Sequence, residues 1–93
     1  MVVALLSIEC HLSAARSLKD KRMVLQSVKG RLRNLNVSVA EVEHQDLWQR
    51  AGIAVVTVAA NEELAEKALN GVLDDIERHE PGLVTCSEIE FLA

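Results

Sequence analysis

The sequence predicts an α+β fold in which two helices cover one face of a four-stranded antiparallel sheet. Three observations carry that expectation. Apolar residues alternate with a period of two at the N-terminus, two later stretches repeat them with a helical period, and 93 residues suffice for one two-layer core but not for two. The whole chain, 1–93, is therefore expected to be one domain.

From Val2 to Leu12 the even positions are Val2, Ala4, Leu6, Ile8, Cys10 and Leu12, whereas the odd ones run Val3, Leu5, Ser7, Glu9 and His11. Successive side chains of a strand point to opposite faces, so this strand has one apolar face and one that turns polar along its length. Ser17 then opens a helix. Asp20 follows three residues later, approximating a capping box, and Leu18, Leu25, Val28, Leu32 and Leu35 supply an apolar face, which places the helix at about Leu18 to Asn34. Asn36 to Glu43 is a short β-branched run, and Gly52 to Ala60 is nearly continuously apolar, as expected of a central strand buried on both faces or nearly so. Asn61 caps a second helix, with Glu62 and Glu63 set against its positive N-terminal dipole and Leu64, Ala65, Ala68, Leu69, Val72, Leu73 and Ile76 on its buried face. Pro81-Gly82 stops it, because proline cannot continue a helix, and Leu83 to Leu92 forms the last strand.

The order strand, helix, strand, strand, helix, strand is that of the ferredoxin-like split βαβ arrangement, with the first and third strands central and right-handed crossovers. Two helices cover only one sheet face. The other carries apolar residues such as Val3 and Leu5, and a second copy or another partner is expected to cover it, which makes a homodimer the expected assembly.

The longest apolar segment, Gly52 to Ala60, is far below the roughly 20 residues a membrane-spanning helix needs. Met1 to Leu6 lacks the basic start of a secretory signal and runs straight into a strand pattern, so a cytoplasmic protein without membrane association is expected. Two cysteines, Cys10 and Cys86, are too few and too far apart to suggest a metal site. They read as buried reduced thiols in strands, with a disulfide between adjacent strands as the alternative.

Charge is unevenly distributed. Arg16, Lys19, Lys21, Arg22, Lys29, Arg31 and Arg33 face a single acid, Asp20, between residues 16 and 36, a segment charge of +6; the rest of the chain carries three basic and thirteen acidic residues, or −10. At about 100° per residue, Arg22, Gln26, Lys29 and Arg33 fall in one sector beside the apolar stripe and form a basic ridge along the first helix. Such a ridge either keeps the protein soluble, attracts the acidic second helix, or neutralises phosphates of RNA by releasing condensed counterions. The overall pI of about 5.3 argues against a dedicated nucleic-acid domain, and the lack of the surface aromatics on which an RNA recognition motif stacks bases argues against base stacking. Backbone readout is the form of binding to expect. The candidate RNA contacts are Lys19, Lys21, Arg22, Lys29, Arg33 and Arg50.

The second and third strands are joined by His44 to Ala51, with no tight-turn dipeptide. This connection holds the only tryptophan, Trp48, among polar neighbours. Trp48 is expected to fold over the sheet end or against a partner chain, or else to stand exposed as a binding hot spot, and Asp46 with Arg50 is spaced to pair across one turn. His44, Asp46, Trp48 and Gln49 are the candidate interaction loop. No nucleophile motif, oxyanion hole or phosphate loop accompanies His44 and Asp46, so no catalytic residues are assigned and an enzyme is not expected. His11, His44 and His79 are dispersed without zinc-site spacing, Asp74, Asp75 and Glu77 read as a solvated helix end, and neither a metal nor any other cofactor is expected.

SLKDKR (Ser17 to Arg22) followed by VSVAEVEHQDLWQRA (Val37 to Ala51) resembles the YlxP-like family of small bacterial proteins of unknown function, and the resemblance extends over essentially the whole chain. It implies a ferredoxin-like fold and, because genes of the family tend to lie among those for translation and ribosome maturation, a ribosome- or RNA-associated role. It supplies no catalytic residues. Its recurrent positions fall on Ser17, Leu18, Lys19, Lys21, Arg22, Glu41, Asp46, Trp48, Gln49 and Arg50, with Asp20 where glutamate is common, a shorter arm for the helix cap. In this topology the start of the first helix and the tryptophan loop lie at the same end of the sheet.

These readings favour a non-enzymatic domain docking on RNA or a ribosomal particle. The alternatives are a homodimeric interaction or regulatory module, and a small anionic-ligand sensor using the first helix N-terminus.

Overall fold

The computed structural model describes residues Met1–Ala93 and has the expected order: β1 (Val2–His11), α1 (Leu18–Leu32), β2 (Ser38–Glu43), β3 (Arg50–Ala59), α2 (Glu62–His79) and β4 (Val84–Phe91). The strands lie in the order β2-β3-β1-β4, every neighbouring pair antiparallel, with β1 and β3 central. This is the ferredoxin-like α+β arrangement.

The core follows the period-two reading of β1. Ala4, Leu6, Ile8 and Cys10 point inward, joined by Ala51, Ile53 and Val55 from β3, Leu25, Val28 and Leu32 from α1, and Ala65, Leu69, Val72 and Ile76 from α2. It is almost wholly aliphatic. At about 25 cal/mol per Å² of apolar surface buried, such side chains each contribute roughly 1.5–3 kcal/mol, and they need no hydrogen-bond partners.

Several boundaries differ from the sequence reading. Helix α1 ends at Leu32, and Leu35, expected on its apolar face, is exposed beyond it. The chain leaves the helix because Asn36 is drawn onto β3: its Nδ2 donates to Val58 O at 2.9 Å, and the buried Thr57 Oγ1 donates back to Asn36 O at 2.6 Å. Strand β2 consequently starts at Ser38, and β3 starts two residues early, at Arg50. β3 is not buried on both faces. Ala51, Ile53, Val55 and Thr57 are covered by the helices, whereas Ala54 and Val56 are only partly buried and Val58 is exposed on the open face. Its nearly continuous apolar run reflects small and branched residues lying between neighbouring strands, not two covering layers.

Strand β2 is irregular at its end. A bulge between Glu41 and Glu43 shifts its register against β3, and His44 directly after it has φ of 60°, the left-handed region. Helix α2 is capped as expected, Asn61 Oδ1 accepting from Leu64 N at 2.9 Å, and Gly82 supplies the positive φ of 82° at the turn into β4.

Neither cysteine is paired. Cys10 is buried, but Cys86 is exposed, contrary to expectation. Glu9, not Cys10, is opposite Cys86, so the two thiols lie on opposite faces of the β1–β4 pair and no disulfide can join them. Burial, reinforced by the Glu9 and Glu41 carboxylates, pushes the Cys10 thiol up to about 11. At neutral pH a thiol reagent is therefore expected to modify one cysteine per folded chain and two after denaturation. A Cys86→Ser variant that still reacted while folded would contradict this arrangement.

Candidate functional site

Ser17 begins α1 in extended conformation, its Oγ accepting from Asp20 N at 3.1 Å. Asp20 Oδ2 does not close the box on Ser17 N; it accepts from Arg16 N at 2.9 Å. The shorter aspartate arm still satisfies a backbone donor, one residue further out.

Along α1 and at its ends the cations divide into three groups, of which the buried Lys21 is one. Arg31 turns toward α2, where its Nε donates to Asp75 Oδ1 at 3.1 Å and its Nη1 donates to Ser27 Oγ at 2.9 Å, with Glu80 Oε1 4.0 Å away. Arg16, Lys19, Arg22, Lys29 and Arg33 are exposed, and none of their charged side-chain groups has a carboxylate within 4 Å. The acidic second helix thus neutralises one member of the cluster and leaves the ridge free. Arg22, Gln26 and Lys29 border a groove completed by Glu41 of β2 and Gln45 of the following loop. From Arg22 to Arg33 the ridge runs about 16 Å at 1.5 Å per residue.

Lys21 is a correction to the sequence reading. It is 2% exposed, and its ammonium donates to three backbone carbonyls: His44 O at 2.6 Å, Leu47 O at 2.5 Å and Arg50 O at 2.9 Å. Those bonds use its three hydrogens. Glu41 Oε2 lies 2.7 Å from the same nitrogen yet accepts no hydrogen bond, so the carboxylate balances charge while the carbonyls take the protons. Lys21 therefore cannot reach a phosphate. Spacing held the signal, because Lys21, Leu25, Val28 and Leu32 are separated by 4, 3 and 4 residues and occupy one stripe.

The expected neighbourhood of α1 start and tryptophan loop is thereby realised through direct bonds. Gln49 adds to it, its Nε2 donating to Ala15 O at 3.3 Å and Ser13 O at 3.4 Å while its own carbonyl accepts from Leu12 N at 2.8 Å. Trp48 is held by the loop but not covered by it. It is 51% exposed, beside Asp46, Leu47, Arg50 and His11, and does not fold over the sheet as a lid.

Arg50 also departs from expectation. Its partner is Glu9 at 2.7 Å, across the open sheet face, and no Asp46 bridge forms. His44 Nε2 contacts the same Glu9 Oε1 at 2.9 Å. The Arg50 hydrogen bond, aided by His44 and opposed by desolvation, holds the Glu9 carboxyl below its usual range. Arg50 is consequently on the opposite side of the sheet from the ridge, and the six candidate RNA contacts reduce to four, Lys19, Arg22, Lys29 and Arg33, joined by Arg16.

Residues 3–89 match the DUF503 family, described as a protein of unknown function. The chain is also 41% identical over 66 residues to the uncharacterized protein YlxP of Bacillus subtilis (strain 168), covering 70% of this chain and 72% of that relative.

Replacing Lys21 by methionine leaves three carbonyls and the Glu41 carboxylate without their cation. Removing one partner of a buried ion pair typically destabilises by about 3–5 kcal/mol. Urea denaturation of Lys21→Met is expected to fall in that range, against less than about 0.5 kcal/mol for Arg22→Met on the exposed flank; equal effects would remove the structural role assigned to Lys21.

Proposed function

The chain belongs to the DUF503 family of proteins of unknown function, and we propose that it is a non-catalytic cytoplasmic module that docks on the backbone of RNA, in a ribosomal particle or similar assembly, through the exposed flank of α1. One observation carries this reading: five cationic side chains without carboxylate partners, Arg16, Lys19, Arg22, Lys29 and Arg33, are gathered on α1 or within two residues of its ends, in a chain whose net charge is −4. Glu41, the acid that lines the groove beside Arg22 and Lys29, is already taken by Lys21, and fixed cations left without partners suit a polyanion supplied from outside. The acidic remainder would repel the same polyanion and so orient the approach. Phosphate contacts of this kind position a protein without reading sequence. Trp48 is half exposed in the loop whose backbone Lys21 ties to the start of α1, and its indole is open to stacking by an unpaired base.

A second reading is self-association through the open sheet face. Val3 pairs with Val58 and Leu5 with Val56, and together with the exposed Leu92 they make an apolar patch at one end of it. Trp48 belongs to the other end, beside the His11–Arg50 pair, roughly eight strand residues or about 26 Å away, so it has no part in that patch.

Sedimentation with purified ribosomal subunits over a salt series tests the first reading. If each of the five cations neutralises one phosphate, the log–log salt slope should be roughly −4. Reversing Arg22, Lys29 and Arg33 to glutamate should abolish co-sedimentation while leaving the circular dichroism spectrum unchanged; retention of that variant in the pellet would refute the assignment. Self-association is checked separately by analytical ultracentrifugation, where Val58→Lys should dissociate a dimer and Trp48→Ala should not.

A further inference from the structure

Glu9, 34 residues before Glu43 in the sequence, meets Glu43 and His44 at the loop end of the open sheet face, and we propose that the three form a binding site for a zinc-class divalent cation. Glu9 of β1, Gly52 of β3 and Glu43 of β2 occupy one rank across three strands. The middle position has no side chain, so the two carboxylates converge above it; a Cβ on Gly52 would lie 2.7 Å from Glu43 Cβ. The bulge before Glu43 turns that residue onto the rank, and the left-handed backbone of His44 folds its imidazole back over the same spot. His44 Nε2 is then 2.9 Å from Glu9 Oε1 and 4.0 Å from Glu43 Oε2, and one ligand atom from each residue lies within 4.8 Å of the others.

Zinc bonds to nitrogen and oxygen are about 2.0–2.1 Å long, which puts the ligand atoms of a tetrahedral site about 3.3 Å apart. The observed separations bracket that value, so ligation needs only small side-chain adjustments. One imidazole with two carboxylates is a donor set for a borderline divalent ion; calcium and magnesium favour oxygen alone. Ser7, Cys86 and Glu88 border the depression next to Glu9 and Glu43, leaving the remaining coordination positions accessible to water.

Arg50 is the competitor. Its guanidinium lies 2.7 Å from Glu9 Oε1, but its side chain is half exposed and free to swing away when a cation takes its place. Bound metal would pin His44 to the sheet from the open face, as Lys21 pins the same residue's carbonyl from the helix face.

Isothermal titration of the full chain with zinc, repeated with cobalt for its ligand-field spectrum, tests the site. The expected result is one ion per chain with a nitrogen- and oxygen-ligated cobalt spectrum. Glu43→Gln and His44→Asn, the latter tolerating the left-handed backbone, should each weaken binding by tenfold or more. Arg50→Ala, by removing the competitor, should strengthen it, a change that a purely structural Glu9–His44–Arg50 network would not produce. His79→Ala, on α2, should leave it unaltered. The proposal is overturned if the wild type shows no saturable binding, if Glu43→Gln and His44→Asn bind as the wild type does, if Arg50→Ala fails to strengthen binding, or if His79→Ala weakens it.

Discussion

A single ammonium group sets the geometry of one end of this molecule. Lys21 reaches from the first turn of α1 into the space between helix and sheet and is ringed there by four oxygens, three from the 44–50 backbone and one from Glu41. A loop of six residues has few internal ways to satisfy its carbonyls, and burying them unpaired would cost more than any one apolar contact returns. The lysine resolves that difficulty and in doing so fixes α1, β2 and the loop relative to one another. The position of Trp48, the direction of His44 and the angle at which the basic flank of α1 meets β2 all depend on it.

Charge on α1 is thus sorted by depth and by side. Lys21 points inward and organises the protein; Arg31 points sideways and joins α1 to Asp75 of α2. Arg16, Lys19, Arg22, Lys29 and Arg33 point outward with no partner of their own. Three fates for the basic residues on and beside a 15-residue helix arise mainly from a 100° turn per residue, and they explain why a segment charge of +6 is a poor guide to how much of it is available.

The fold was legible because its signals are local. Alternation in β1, the caps at Ser17 and Asn61 and the stop at Pro81-Gly82 each act within a few residues, and together they leave one economical way to cover a sheet face. What escaped were pairings between distant residues. Arg50 reads as a partner for Asp46 four positions away, but cross-strand register puts it opposite His11 and beside Glu9. Glu9, Glu43 and His44 carry no common spacing, and only the glycine between two acidic residues of one cross-strand rank marks where they converge. The Lys21 position was readable in principle from its place on the apolar stripe; charge masked it, since a lysine among leucines is ordinarily taken to reach outward.

The irregularity in β2 has one more effect, on how sheets from different molecules can meet. An outer strand with a free, regular backbone invites another chain to extend the sheet, whereas the interruption between Glu41 and Glu43 breaks the run of evenly spaced amides on that side. Extension is left to β4, where Glu88 and Glu90 would crowd against the same residues of an identical neighbour laid antiparallel to it. Lateral polymerisation into fibres is thereby discouraged at both borders of the sheet.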